Sequence, residues 1–460
     1  MHKKTLKWAT AGLIGAASIG STAHAQSADA LIDKLVDKGI LTVKEANQLR
    51  EESDKGFTTA YSVKSGMSDW VTAFKFNGDI RARYEGFYNS DSQFADRNRL
   101  RYRLRFGAVA TLKDNFEVGM RLTSSDPVTG GGIGGDPISG NTTWTSNGSK
   151  KFIYVDLAYA KWTPINNANW SSTFSVGKIE NPFVFSDMVF DADYTPEGFG
   201  QQFAFNATDS QTLKLNMGEF ALREIGGGAN ASRDSYLLGA QLRLDSQWTP
   251  KLQSSGGVSA LLLMNEDQLQ TSSLGKLDTP VVPNQNSGNT KTITSTPGGG
   301  VLPNFNPIVV DGSLTYSLDT FPMYSGAFPI RLAAEYMNNP AVDRMGEAYS
   351  VGITFGKSGK KGLWEIGYRW KELQANAWWE ELVDSDFGAF YKVPSSHTLD
   401  ITVPGYAAGT NVRGHVVKAS YSPYDSLTLG LTYFCTEVID RPTSYNPTMH
   451  RLQIDAVWKF

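Results

Sequence analysis

The stretch from Phe74 to Leu122 constrains the chain more than any other. In its first run Phe74, Phe76, Ile80, Ala82, Tyr84 and Tyr88 share one parity, and Lys75, Asn77, Asp79, Arg81, Arg83 and Glu85 share the other. The next run sets Leu100, Tyr102, Leu104, Phe106, Ala108 and Ala110 against Arg99, Arg101, Arg103 and Arg105. A period of two means extended strands with opposed faces. In a soluble sandwich the second face would be a solvated arginine ridge. The alternation, however, runs for about eleven residues or more per strand, the length a tilted strand needs to cross a bilayer, whereas strands of soluble sheets average about five or six. The reading is therefore a transmembrane barrel, apolar side to lipid and arginine side to a watery lumen.

Both ends of the chain agree. Lys3, Lys4 and Lys7 precede a mostly apolar run from Trp8 to Ile19, and Ala23-His24-Ala25 supplies small residues for cleavage, the pattern of a secretory signal peptide over residues 1–25. Cleavage would leave 435 residues with 40 basic and 46 acidic side chains, a balance that gives no support to a nucleic-acid binder. No later run of eighteen apolar residues exists, so a spanning helix is excluded and only a closed barrel would satisfy every backbone polar group in lipid. The single Cys435 excludes an intramolecular disulfide. The 24 Phe, 19 Tyr and 11 Trp supply rings for interfacial girdles.

Residues 26–56 break the strand pattern. Leu31, Ile32, Leu35 and Val36 lie at helical spacing, Gly39 ends the turn, and Thr42 with Glu45 forms a capping box, which predicts a short periplasmic helical hairpin. It would serve as a lid or spacer, or as an oligomerisation or tethering element. Residues 57–460 then read as sixteen antiparallel strands with connections that alternate short and long. Lys113-Asp114-Asn115 and residues 246–251, 357–362 and 422–426 are short; 124–150, 265–308 and 375–410 are long. Short periplasmic turns and long outer loops are the habit of a membrane barrel, and an even count returns the chain to the periplasm. The weakest strand is the one near 200–206.

The last strand alternates Leu452, Ile454, Ala456, Trp458 and Phe460 against Arg451, Gln453, Asp455 and Lys459. Its aromatic end resembles the C-terminal signal read by the outer-membrane barrel-assembly machinery. The segment DALIDKLVDKGILTVKEANQLREE, residues 29–52, and GKIENPF, residues 177–183, resemble segments of a family of bacterial outer-membrane porins and of the related phosphate-selective porins. The resemblance implies a sixteen-stranded outer-membrane barrel that passes small hydrophilic solutes, sits among lipid and lipopolysaccharide, and forms a homotrimer. It also implies that the loop after the fifth strand folds into the lumen as a constriction.

That loop, Glu180 to Gly200, carries Glu180, Asp187, Asp191, Asp193 and Glu197 with no Lys or Arg among them. The facing wall of the first three strands holds Lys75, Arg81, Arg83, Arg99, Arg101, Arg103, Arg105 and Arg121 against Asp79, Glu85 and Glu117, a surplus of five positive charges. If the loop turns inward, a field from basic wall to acidic loop would cross the pore and favour small polar or charged solutes. If it stays outside, the arginines would form an anion path with a phosphate preference. The alternative is that the arginines only pair with neighbouring carboxylates as a structural ladder.

Other functions leave weaker traces. After the signal only His397, His415 and His450 remain, scattered in sequence without metal-ligand spacing, and no nucleophile elbow is present, so no enzyme, cofactor or metal site is expected. Trp378, Trp379, Phe387, Phe390 and Tyr391 cluster after the thirteenth strand and could stack on sugars in a sugar-specific channel. A structural barrel that does not conduct is the remaining alternative.

Overall fold

The computed structural model describes residues 68–90, 96–127, 134–224, 234–266, 303–388, 409–440 and 448–460, with 269, 288–290, 292–293 and 300–301 between them. The signal segment and the helical hairpin expected at 26–56 lie outside these residues.

Sixteen long strands follow one another: β1 Val71–Asn89, β2 Arg97–Leu112, β3 Phe116–Ser124, β4 Ile153–Asn166, β5 Trp170–Lys178, β6 Glu197–Thr208, β7 Gln211–Arg223 and β8 Ser235–Gln247. They continue as β9 Leu252–Met264, β10 Ile308–Leu318, β11 Phe328–Asn338, β12 Glu347–Gly356, β13 Trp364–Leu373, β14 Val412–Tyr424, β15 Leu427–Val438 and β16 Met449–Lys459. Each pairs antiparallel with the next, and β1 pairs with β16 from Asp79↔Lys459 to Asn89↔Met449, so the sheet closes on itself. The two-residue segment Thr142–Thr143 adds to the edge of β2. The expected sixteen-stranded antiparallel barrel is the observed fold. The weakest expected strand is longer than its alternation suggested, because β6 pairs with β5 from Glu197 to Phe205 and with β7 from Gly198 to Thr208.

The burial pattern is the reverse of a soluble protein's. Phe76, Ile80, Leu100, Phe106, Val118, Met120, Leu242, Leu332, Val351 and Ile366 are exposed, whereas Arg83, Glu85, Arg101, Arg103, Gln241, Arg243, Lys371, Arg451 and Gln453 are buried. Outward apolar side chains suit lipid, where exposure costs them nothing, and inward charges suit a wet, polar interior. Phe116 stacks on Trp162, and Trp170 on Phe205, in rows across the outer face.

Turn chemistry fits the topology. Between β2 and β3 Asp114 and Asn115 both take φ of 60°, a left-handed conformation that Asp and Asn tolerate well. Gly177 and Gly198 face each other across β5 and β6 with φ of 112° and 154°. A Cβ there would come within 2.3 Å of the Ala158 carbonyl and 2.0 Å of the Glu219 carbonyl, so only glycine fits where the loop between β5 and β6 leaves the wall.

Candidate functional site

The connection between β5 and β6, residues 179–196, runs across the inside of the barrel. Its backbone at Val184 exchanges two hydrogen bonds of 2.8 Å with the Gln241 side chain on β8, and the Val184 carbonyl also accepts from Arg243. Ser186 donates through its amide and its hydroxyl to Glu335 on β11. Asp187 accepts from Arg369 at 2.5 Å and from Lys371 at 3.1 Å, both on β13. The segment then turns back. Asp193 accepts from Arg105 at 2.6 Å and Arg103 at 3.1 Å on β2, and Thr195 donates to Asp156 on β4. One short segment thus touches walls on both sides of the barrel.

It does not cross alone. Residues 374–388, which follow β13, fold inward beside it: Trp378 Nε1 donates to the Val189 carbonyl at 2.9 Å, the Asp191 amide to the Leu382 carbonyl at 2.7 Å, and the Asp384 amide to the Asp187 carbonyl at 3.0 Å. Between them lies an apolar core inside the barrel. Phe183, Met188, Val189 and Phe190 from the first segment and Trp378, Trp379, Leu382 and Val383 from the second pack on Phe220, Leu237, Leu261, Val309, Met337 and Leu373. These last six are inward-facing residues near the ends of β7, β8, β9, β10, β11 and β13, where the strict polar-in alternation gives way to apolar residues. Trp378, Trp379 and Phe387 are therefore buried, not offered to a sugar; Phe390 and Tyr391 lie outside the described residues.

Residues 136–143 from the loop after β3 complete the inward layer. Asn141, itself buried, accepts from Arg81 through its side-chain oxygen at 2.7 Å and from Arg101 through its carbonyl.

The arginine wall is compensated. Glu85 is fully buried and bonds Arg99 and Arg451 while lying 3.7 Å from Arg101. Arg83 bonds Asp455 on β16 at 2.7 and 2.8 Å and Asp386 at 3.0 Å. Asp386 also accepts from Arg451, Arg103 pairs with Asp79 as well as Asp193, and Arg121 pairs with Asp156 at 2.5 Å. The expected surplus of five positive charges is reduced, because Asp156, Asp455, Asp193 and Asp386 arrive from neighbouring strands and the two inward segments. Arg81 alone among the seven named arginines has no carboxylate within ion-pair distance among the described residues.

The acidic residues separate into different environments. Burial opposes the charged form of Asp187, but Arg369, Lys371 and Lys418 outweigh it and hold the carboxyl below the usual range. The same balance holds Asp193 down through Arg105, Arg103 and Arg81, and Asp386 down through Arg451 and Arg83. Asp191 goes the other way, because burial is reinforced by Asp193 and Asp384, and its oxygens serve as acceptors for the Ser385 and Asp193 amides. Glu180 is mostly exposed, 3.4 Å from Arg121. Glu197 does not join the group: it is the first residue of β6, shares the outward parity of Phe199, and lies 3.5 Å from Lys178. The loop ends at Pro196, earlier than Gly200, because the β5–β6 ladder begins at Lys178↔Glu197.

Sequence reasoning missed the basic residues on the far wall, Arg243, Arg331, Arg369, Lys371 and Lys418, and placed Arg451 on the polar face of the last strand without joining it to the site. Extending the parity argument of β1–β3 to β8, β11, β13 and β14 would have found the far wall. It also read His415 and His450 as scattered. The register places His415, Cys435 and His450 in one outward-facing row on β14, β15 and β16, with the Tyr368 and Tyr433 hydroxyls on the two imidazole Nδ1 atoms at 2.9 and 2.6 Å. Among the described residues no group of three or more His, Cys, Asp or Glu could hold a metal ion.

Residues 88–265 match the model of a family described as "Putative porin". No curated protein matches significantly in sequence. Among solved structures, OprB of Pseudomonas putida at high pH aligns at 10% identity and a TM-score of 0.48, over 86% of this chain and 99% of that one. A loop L8 deletion mutant of OmpT from Vibrio cholerae aligns at 11% identity and 0.42, over 84% and 99%. A mutant porin of Rh. blastica aligns at 9% and 0.39, over 84% and 100%.

Proposed function

We propose that this chain, whose residues 88–265 match the "Putative porin" family, is an outer-membrane channel of the porin kind that passes small hydrophilic solutes and ions by passive diffusion with weak overall ion preference. The observation that carries the reading is the inverted barrel: apolar residues face out, and charged side chains face an interior crossed by two inward segments. Weak preference follows from compensation. Where most guanidinium groups of a wall meet a carboxylate, the local field is strong but the net potential along the path is small. Arg81, Arg83, Arg99, Arg101, Arg103, Arg105 and Arg121 then act as an ordered polar wall, and Asp187, Asp191 and Asp193 hold the constriction segment against it. An apolar solute would have to displace water oriented by these charges and would cross slowly.

The match of residues 88–265 and the closed barrel support a channel rather than an enzyme. The burial of Trp378, Trp379 and Phe387 speaks against a stacking site for sugars. Lipid and lipopolysaccharide would contact the outer face, the barrel-assembly machinery would read the strand ending at Phe460, and three copies would assemble, as the porin resemblance implies.

Planar-bilayer recording of the purified protein under a salt gradient tests this. The expected result is a steady open conductance with a small reversal potential that added sugars do not saturably block. An absence of conductance would refute the channel reading, and saturable sugar block would favour the sugar-specific alternative.

A further inference from the structure

We propose that the inner wall of β11–β14 carries an oxyanion subsite, formed by Arg331, Arg369 and Lys418 over a floor of Gly352, Thr354 and Gly367. The inference rests on the channel reading and goes beyond it by placing a solute-binding site on the wall opposite the arginines that the alternation marks.

Four positions lie in register across these strands: Arg331↔Thr354, Thr354↔Gly367 and Gly367↔Lys418. The alternating neighbours Leu332, Ile353, Ile366 and Val417 have the outward parity, with Leu332, Ile366 and Val417 exposed there, so this row faces the lumen. Arg331 and Lys418 are three strand spacings apart, ~14 Å between backbones. Two long side chains can close that gap around one small anion. Between them the floor carries almost no side chain. A Cβ at Gly367 would make only ordinary contacts, the nearest with the Thr354 hydroxyl at 3.4 Å, so nothing crowds this position. Arg369, in register with Gly352, supplies the third cation one step along β13.

The charges here are not used up as they are on β1–β3. Arg331 is exposed and has no carboxylate within ion-pair distance among the described residues; its charged neighbours are Arg369, Arg243, Asp311 and Glu365. Asp311 is already held by Arg243 at 2.7 Å. Lys418 is half exposed and its one ion-pair contact among the described residues is Asp187 at 3.9 Å, while Lys371 lies between Asp187 and Asp384. Arg331, Arg369, Lys371 and Lys418 face Asp187, Asp384, Glu365 and Glu335, the last already bonded to Ser186, and among the described residues Arg331 and Lys418 are the cations of this wall that hold no carboxylate closely. Asp187 also shows what the cluster recognises: it is a carboxylate already gripped by Arg369 and Lys371 at the site's edge. Planar guanidinium donors and a mobile ammonium suit a phosphate or a carboxylate group, and exposure lets the solute leave again.

The test uses the full barrel. Single-channel chloride currents are recorded with added inorganic phosphate in one arm and acetate in the other, for the wild type, R331Q/K418Q, G367D and the periplasmic-turn control K360Q. Calorimetric titration of phosphate into the solubilised barrel reads the site without conduction. The expected result is saturable reduction of chloride current by phosphate, acetate or both, weakened about threefold or more in R331Q/K418Q and G367D and unchanged in K360Q. The arm that responds identifies the group recognised. G367D inverts the site without removing a wall residue, so a folding defect in the double variant would not obscure the outcome. Wild-type currents indifferent to both anions, or variants that respond like the wild type, would overturn the subsite. A barrel that does not conduct but binds phosphate would refute the channel reading and leave the subsite standing.

Discussion

Asp187 shows how one side chain can hold a lumen in shape. Its carboxylate lies between Arg369 and Lys371, and it is held below the usual carboxylate range by those cations against the cost of burial. A depressed folded value means that its contribution is present above the ordinary carboxyl value, about 3.9, and is lost as pH falls through the lowered one. Asp187→Asn removes the charge at every pH. The constriction segment should loosen by about 1–3 kcal/mol, since Lys371 keeps Asp384 and Arg369 is part exposed. Reversal potentials under a salt gradient should shift toward anions, with noisier open current; an unchanged potential would show that this carboxylate does not reach the path. Arg81 makes the complementary point, because parity alone marked it as one arginine among seven. Only the tertiary contacts distinguish it as the one bonded to an amide, Asn141, and, among the described residues, to no carboxylate.

Among the elements, the inward segments behave as a unit. Residues 179–196 and 374–388 share backbone hydrogen bonds and an apolar core, so the second is as much a part of the constriction as the first. The segment 136–143 adds a titratable group. Burial, opposed by the Ile138 amide and Arg101, raises the Asp136 carboxyl to about 6. Its folded value lies above its unfolded one, so stability contributed by the protonated form is fully present below about pH 4 and is lost as pH rises through about 6. Hydrogen-exchange protection over residues 134–143, taken relative to the intrinsic exchange rate at each pH, should therefore be greater at pH 5 than at pH 7. Asp136→Asn, which can keep the bond from the Ile138 amide, should abolish that difference; a variant with the wild-type pH dependence would place the titration elsewhere.

For the whole molecule the energetic logic is that of a barrel in lipid. Leu242 is half exposed on the outer face of β8 between the buried, inward Gln241 and Arg243. Leu242→Arg should cost about 2–4 kcal/mol in folding free energy if it lies near the bilayer midplane. Replacement of the lumen-facing Thr432 by Gln should cost far less, although it alters a similar volume. Urea titrations of the two variants in lipid vesicles measure the difference, and equal costs would contradict the assignment of faces.

The alternation by itself determined the strands, their faces and their even number, because a period of two repeated over eleven residues has few other physical solutions. It located β1–β5 and β7–β16 closely, and missed only the length of β6, whose Gly and Gln residues dilute the pattern. It also marked the segment after β5 as acidic. What the sequence could not decide is what meets what across the lumen. That Asp193 reaches β2 while Asp187 reaches β13, that Asp386 and Asp455 both serve Arg83, and that His415, Cys435 and His450 form one row all depend on register and closure between positions up to several hundred residues apart. Local pattern fixes which face a side chain takes; only the closed barrel and its inward segments fix which charge stands opposite it.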